Sequence, residues 1–174
     1  MRISLLTLSL LLASHCSTAY GEVIDSADNG FSLKHKVTIK ATPEKVYETI
    51  TKPSLWWNPS HTWSGKSENL SIETTPGGLF VEKLPSGGFV RHMEVVYADP
   101  GKLLRLHGAL GPLQQTACHG AMTFTLTTEK DATVVEVTYN VSGYVSEGLK
   151  SWSAPVNQVI VEQVDRLKQA VEAK

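Results

Sequence analysis

Residues 31–40, FSLKHKVTIK, alternate without a break. Phe31, Leu33, His35, Val37 and Ile39 fall on one side, and Ser32, Lys34, Lys36, Thr38 and Lys40 on the other. Side chains of an extended chain point alternately to opposite faces, so this pattern predicts a strand with one buried face. The period then changes in ATPEKVYETIT. Thr42 offers a hydroxyl to an orphan amide at a helix start, Pro43 suits the first helical position, and Val46, Thr49 and Ile50 line one side. A short helix is predicted here, ending before Pro53. Six further strands are predicted at about 70–75, 79–84, 88–97, 103–109, 119–128 and 133–143, separated by turn signals. Those signals are Pro76-Gly77-Gly78, Pro85-Ser86-Gly87-Gly88 and Asp99-Pro100-Gly101. Short connections favour antiparallel neighbours. From Pro155 onward Val156, Val159, Ile160, Gln163, Val164, Leu167 and Val171 recur at three and four, with Glu162, Arg166, Gln169 and Glu172 opposite. That predicts an amphipathic helix of about 18 residues, about 27 Å long.

A half-buried sheet and one long helix with an apolar stripe bury each other best as two layers. The predicted class is α+β: a highly curved antiparallel sheet wrapped around the C-terminal helix. No linker, repeat or low-complexity tract interrupts the chain, so a single domain over residues 20–174 is expected.

The first nineteen residues read differently. Arg2 supplies a positive start, Leu5 to Ala13 is a short apolar run, and Ser17-Thr18-Ala19 places small residues where a signal peptidase cuts. Residues 1–19 are therefore expected to be a signal peptide, cut after Ala19, that exports the chain. The run is too short to span a bilayer, and no membrane span is expected in the mature protein. Removing it takes away Arg2, so Lys plus Arg falls from 16 to 15 against 17 acidic residues, a net charge of −2. That balance argues against a nucleic-acid backbone binder. Cys118 is the one cysteine left, so no disulfide within the chain is expected.

Candidate chemistry is sparse. SLWWNPSHTWSG, residues 54–65, holds Trp56, Trp57 and Trp63, three of the four tryptophans. His35, His61, His92, His107 and His119 are scattered with no paired metal-ligand spacing, so no metal site is expected, and no cofactor. There is no GxSxG elbow and no phosphate loop. Glu82 shares a strand face with Phe80 and Leu84, and Lys83 shares the other with Leu79 and Val81, so either inner face holds one charged side chain among apolar ones. The parity that turns Phe89, Met93, Val95 and Tyr97 inward takes Arg91 with them and leaves His92 and Glu94 outside, although both faces of this segment are mixed. A buried charge must be paired or functional, which makes Glu82 with Arg91 a cross-strand pair to expect. His107 has the opposite parity to Leu104 and Leu106, and faces either inward or solvent. GALGPLQQTACHG, 108–120, is a long, nearly uncharged connection that should pack against something, whether the chain's own helix, a ligand or another protein.

The opening strand with TPEKVYETIT, the WW segment, HTWSG, PGGLFVEKLPSGG and the closing helix occur in an order that resembles the START-like, or SRPBCC, superfamily. Within it the chain looks nearest the branch of polyketide cyclases and activators of the Hsp90 ATPase, as an exported bacterial member, which implies the periplasm as its destination. The resemblance implies a helix-grip fold, a curved seven-stranded antiparallel sheet around the C-terminal helix, with a cavity between them for an apolar or amphipathic ligand. It implies that the segment after the first helix forms one end of that cavity. Trp56, Trp57, Trp63, Glu82, Arg91 and His107 are then the candidates to line it. Three functions compete: binding of a small hydrophobic or amphipathic molecule; a cyclase- or hydrolase-like reaction using a polar cavity residue; and partner binding without a ligand. The tryptophans likewise have two readings, as ligand contacts or as a plug in the sheet opening.

Overall fold

The structure is a computed structural model and describes residues 20–173. The export segment expected at 1–19 lies outside the described residues. Among them, eight strands form one antiparallel sheet: β1 (Tyr20–Ala27), β2 (Gly30–Ile39), β3 (Leu70–Ile72), β4 (Leu79–Lys83), β5 (Phe89–Asp99), β6 (Leu103–Gly108), β7 (Ala117–Glu129) and β8 (Ala132–Tyr144). Two α-helices accompany them, α1 (Pro43–Ile50) and α2 (Ser153–Glu172). The class is the predicted α+β helix grip.

The strand count is eight, one more than the sequence pattern predicts. The additional strand is β1, which pairs with β2 through the two-residue turn Asp28-Asn29. Its alternation is broken because Val23 and Ile24 are adjacent and the register shifts between Val23 and Asp25. A bulge of this kind sends neighbouring residues out of step and erases the period-two signal.

The order across the sheet is β1-β2-β8-β7-β6-β5-β4-β3. From β3 to β8 the chain is a simple meander. Between β2 and β3, however, it must travel to the opposite edge of the sheet. The segment that makes this crossing contains α1 and all three tryptophans of residues 54–65. Topology therefore lays the tryptophans across the sheet opening.

The predicted faces hold where alternation is regular. Phe31, Leu33, His35, Val37 and Ile39 of β2 are all buried. Thr42 caps α1 by accepting from the Lys45 amide. On α2, Ile160, Val164, Leu167 and Val171 are buried in the core shared with the sheet. The helix begins at Ser153, two residues before Pro155, which sits in the first turn where no amide proton is required. Lys168 Nζ donates to Thr38 O at 2.7 Å and ties α2 to β2. No helix among the described residues is long and apolar enough to cross a membrane.

Candidate functional site

The crossing segment is built from tight local structure. Single-turn helices at Pro53–Leu55 and Pro59–His61 begin with prolines whose fixed φ suits the first turn. Between them Trp56 and Trp57 turn inward, 3% and 6% exposed, with ring centroids 5.3 Å apart. A buried indole needs an acceptor for its N–H. Trp56 Nε1 donates to Thr49 O at 2.9 Å, and Trp57 Nε1 to His61 O at 3.1 Å. The segment is then strapped to α2 by polar contacts. The Asn58 amide donates to Gln163 Oε1 at 2.8 Å, and Asn58 Nδ2 donates to Glu162 Oε1. His61 Nε2 lies 3.1 Å from Glu162 Oε2, and Arg166 Nε donates to Trp56 O at 2.9 Å.

Two concavities flank this strap. Inside, a void of about 10 Å³ is bordered by Trp56, Trp57, Met122, Phe124, Val137, Ile160, Gln163 and Val164. That is room for about one water, far below the few hundred Å³ of an ordinary small-molecule site. Outside, a groove of about 260 Å³ is bordered by Leu55, Trp56, Arg166, Gln169 and Ala170. Trp56 is the wall they share.

A buried polar cluster anchors the far end of the strap. Glu82 on β4 has no exposed surface. It accepts from the backbone amides of Trp63, at 3.2 Å, and Ser64, and from His92 Nε2 at 3.1 Å. Because the carboxylate takes the proton of Nε2, Nδ1 is the bare nitrogen, and it accepts from Gln114 Nε2 at 3.1 Å. Gln114 also donates to Arg91 O at 3.3 Å. The strap and the connection between β6 and β7 thus meet at one Glu82–His92–Gln114 chain. An aromatic run joins the chain to the void: Trp57 to Phe80 at 5.7 Å and Phe80 to His92 at 4.9 Å. Burial lowers the His92 pKa below 6.5, only partly offset by Glu82. Burial alone would raise the pKa of Glu82, but the hydrogen bonds from Ser64, Trp63 and His92 outweigh it and hold the carboxyl below 4.5.

This cluster corrects the parity reading of β5. Phe80 pairs with Met93 but Val81 pairs with Arg91, so His92 is an extra residue. A second shift leaves Val96 extra. The first bulge turns both His92 and Met93 inward and puts Arg91 outside, exposed; Phe89 and Tyr97 are exposed as well. Glu82 is therefore paired with His92, not with Arg91. His107 also lies away from the void. It faces outward beside Glu94, its partner across β5, and its ring packs edge-on against His119 at 5.5 Å. Trp63 is 46% exposed; the strap uses its backbone amide rather than its ring. Of the six candidates, Trp56 and Trp57 border the void, and Glu82 holds the strap from beneath.

Three residues of this arrangement are not legible as such in the sequence. Gln163 belongs to the α2 stripe, where an amide among Val, Ile and Leu is itself a signal. His92 was hidden by its bulge, and Gln114 by its place in an irregular connection. That connection folds back on its own sheet: Leu113 is buried, and the Leu110 amide donates to Tyr139 Oη at 3.2 Å. Among the described residues, no group of three or more His, Cys, Asp or Glu side chains gathers to hold a metal.

A curved sheet gripping a long helix, with its opening strapped by an aromatic segment, defines a helix-grip domain. The chain matches the family described as polyketide cyclase / dehydrase and lipid transport over residues 30–172, and it belongs to that family. No curated relative matches it. It is similar in fold to the Aha1 dimer subunit from Colwellia psychrerythraea, at 23% identity and a TM-score of 0.60, over 81% of this chain and 96% of that one. An uncharacterized protein from Rhizobium leguminosarum matches at 15% identity and a TM-score of 0.64, over 90% and 99%. CalU16 from Micromonospora echinospora matches at 13% identity and a TM-score of 0.58, over 88% and 83%. At these identities the likeness is one of fold.

Proposed function

We propose that this protein binds a small apolar or amphipathic molecule between the sheet and α2, in space that Trp56 and Trp57 fill in this conformation. The observation that carries the reading is the shared wall: Trp56 separates an outer groove of about 260 Å³ from the inner apolar void. In this reading, that one side chain moves to join the two volumes. Family membership supports the same reading, since lipid transport is part of the family's description. The void's border is apolar apart from Gln163 and the two paired indole nitrogens, which suits an apolar guest. A cyclase- or hydrolase-like reaction has less support. Of Glu82, Arg91 and His107 only Glu82 faces inward, and its carboxylate is already bonded to three donors.

Gentle purification from the native host tests the proposal. The protein should carry an extractable organic molecule visible by native mass spectrometry. Returning that molecule to stripped protein should raise the thermal midpoint, because a ligand that binds only the folded state stabilises it. Trp57→Leu should weaken that binding more than it lowers stability, measured by tryptophan emission in a Trp152→Phe background. A protein that comes out empty, binds nothing in a broad lipid and metabolite screen, and loses only stability on the Trp57 change would decide against binding.

A further inference from the structure

Gln163 is out of character with its surroundings. It sits on the buried stripe of α2, 2% exposed, between Ile160 and Leu167. Its Oε1 accepts from the Asn58 amide at 2.8 Å. That contact fixes the orientation of the side-chain amide, since a backbone N–H must face the oxygen and not the NH2 group. Nε2 is therefore left on the other side, buried and without a hydrogen-bond partner among the described residues. Fastening the strap needs only the acceptor half of this side chain. The donor half has no structural use here, and an unmet buried donor costs stability.

The donor belongs to a residue that borders the void. The other N–H donors on that border are spent, Trp56 Nε1 on Thr49 and Trp57 Nε1 on His61. We infer that Gln163 is the polar anchor of the binding site and selects apolar molecules that carry one uncharged oxygen acceptor, such as a ketone or ester carbonyl, at the buried end. An anionic head is disfavoured there, because no cation among the described residues borders the void and the neighbouring Glu162 carboxylate lies at the strap contact. A buried charge without a partner is far costlier than a paired neutral carbonyl. The inference rests on the proposed binding function and adds its selectivity.

The test uses matched probes: acetylnaphthalene and a long-chain methyl ketone, each against the isostere in which CH2 replaces the carbonyl oxygen. Affinities for the purified protein are read by tryptophan quenching. Side-chain amide resonances of Gln163 are followed in parallel by nitrogen-15 NMR. The ketones should bind tighter than their isosteres by a factor of about ten, the scale of one neutral hydrogen bond. The Gln163 amide protons should shift with the ketone and not with the hydrocarbon. Gln163→Leu should abolish the preference. Gln163→Glu, which retains an acceptor for Asn58 but lacks the neutral amide donor, should also lose it. Equal affinity of the wild-type protein for ketone and isostere overturns the anchor and leaves the binding function standing. Binding of neither member of any pair overturns the binding function and the anchor with it. The wild-type comparison and the resonance shift keep the test decisive if a variant fails to fold.

Discussion

His92 and His35 are buried imidazoles held below their ordinary pKa of 6.5 for the same first reason, burial. Asn157 beside His35 and Glu82 beside His92 offset this only in part. His35 is also pinned sterically: a side chain at Gly21 would run into its ring, and neither ring nitrogen makes a hydrogen bond among the described residues. The sign of the pH dependence follows. An unfolded chain takes up protons on these histidines near pH 6.5, whereas the folded chain resists them. Below that point the unfolded state binds more protons, so stability falls as pH falls. Glu82 and Glu172, each held below 4.5 by the hydrogen bonds its carboxylate accepts, extend the loss at lower pH in the same direction. The thermal midpoint should be steady above about pH 7 and should drop steadily from about pH 6.5 downward. Thermal unfolding followed by circular dichroism across this range checks it, with His92→Gln expected to flatten the first part of the decline. A midpoint unchanged between pH 6.5 and 5 would contradict this account of both histidines.

Among the elements, α2 and β5 differ in how far local pattern controls them. The α2 stripe packs into the sheet, and Leu167 has no exposed surface, whereas Gln169 is exposed. Leu167→Ala should therefore cost about 2–5 kcal/mol through lost burial and an unfilled cavity. Gln169→Ala should stay within about 0.5 kcal/mol. Urea unfolding of both variants checks the pair, and an unchanged midpoint for Leu167→Ala would mean the helix is not gripped as described. A 3.6-residue period persists as long as the helix does, so the stripe was legible. The period of β5 is reset twice by its bulges, so no single parity assigns Arg91, His92 and Tyr97 together. A bulge depends on the partner strands, and those are not written within the strand itself.

For the molecule as a whole, the crossing from β2 to β3 decides what the tryptophans do. Laid across the opening and strapped to α2, Trp56 and Trp57 fill the grip, while Trp63 stays outside and lends only its backbone to Glu82. The plug is therefore what the structure shows, and ligand contact is what the proposed function adds to the same segment. We further propose that the protein is exported, on the evidence of its positive start, apolar run and Ser17-Thr18-Ala19, and that it resides in the periplasm, as the resemblance to exported bacterial proteins implies. Protein isolated from its native host should begin at Tyr20 or within a few residues of it, as read by intact mass. An unprocessed Met1 on that protein would overturn the proposal.

The sequence alone determined what depends on neighbours along the chain. The period-two face of β2, the Thr42 cap, the glycine turns and the stripe of α2 are all local choices between water and core, and together they define the two-layer class. The family resemblance added the helix grip and directed attention to the tryptophan segment. Tertiary structure decided everything that depends on residues far apart in sequence. Asn58 meets Gln163 across 105 positions, and Trp63 meets Glu82 across 19. Neither contact leaves a periodic trace, because a hydrogen bond constrains two groups and not the pattern around them. The same holds for the void. Its volume of about 10 Å³ is the small remainder after eight side chains from distant elements have packed, and a remainder of that kind exists only once the elements are in place.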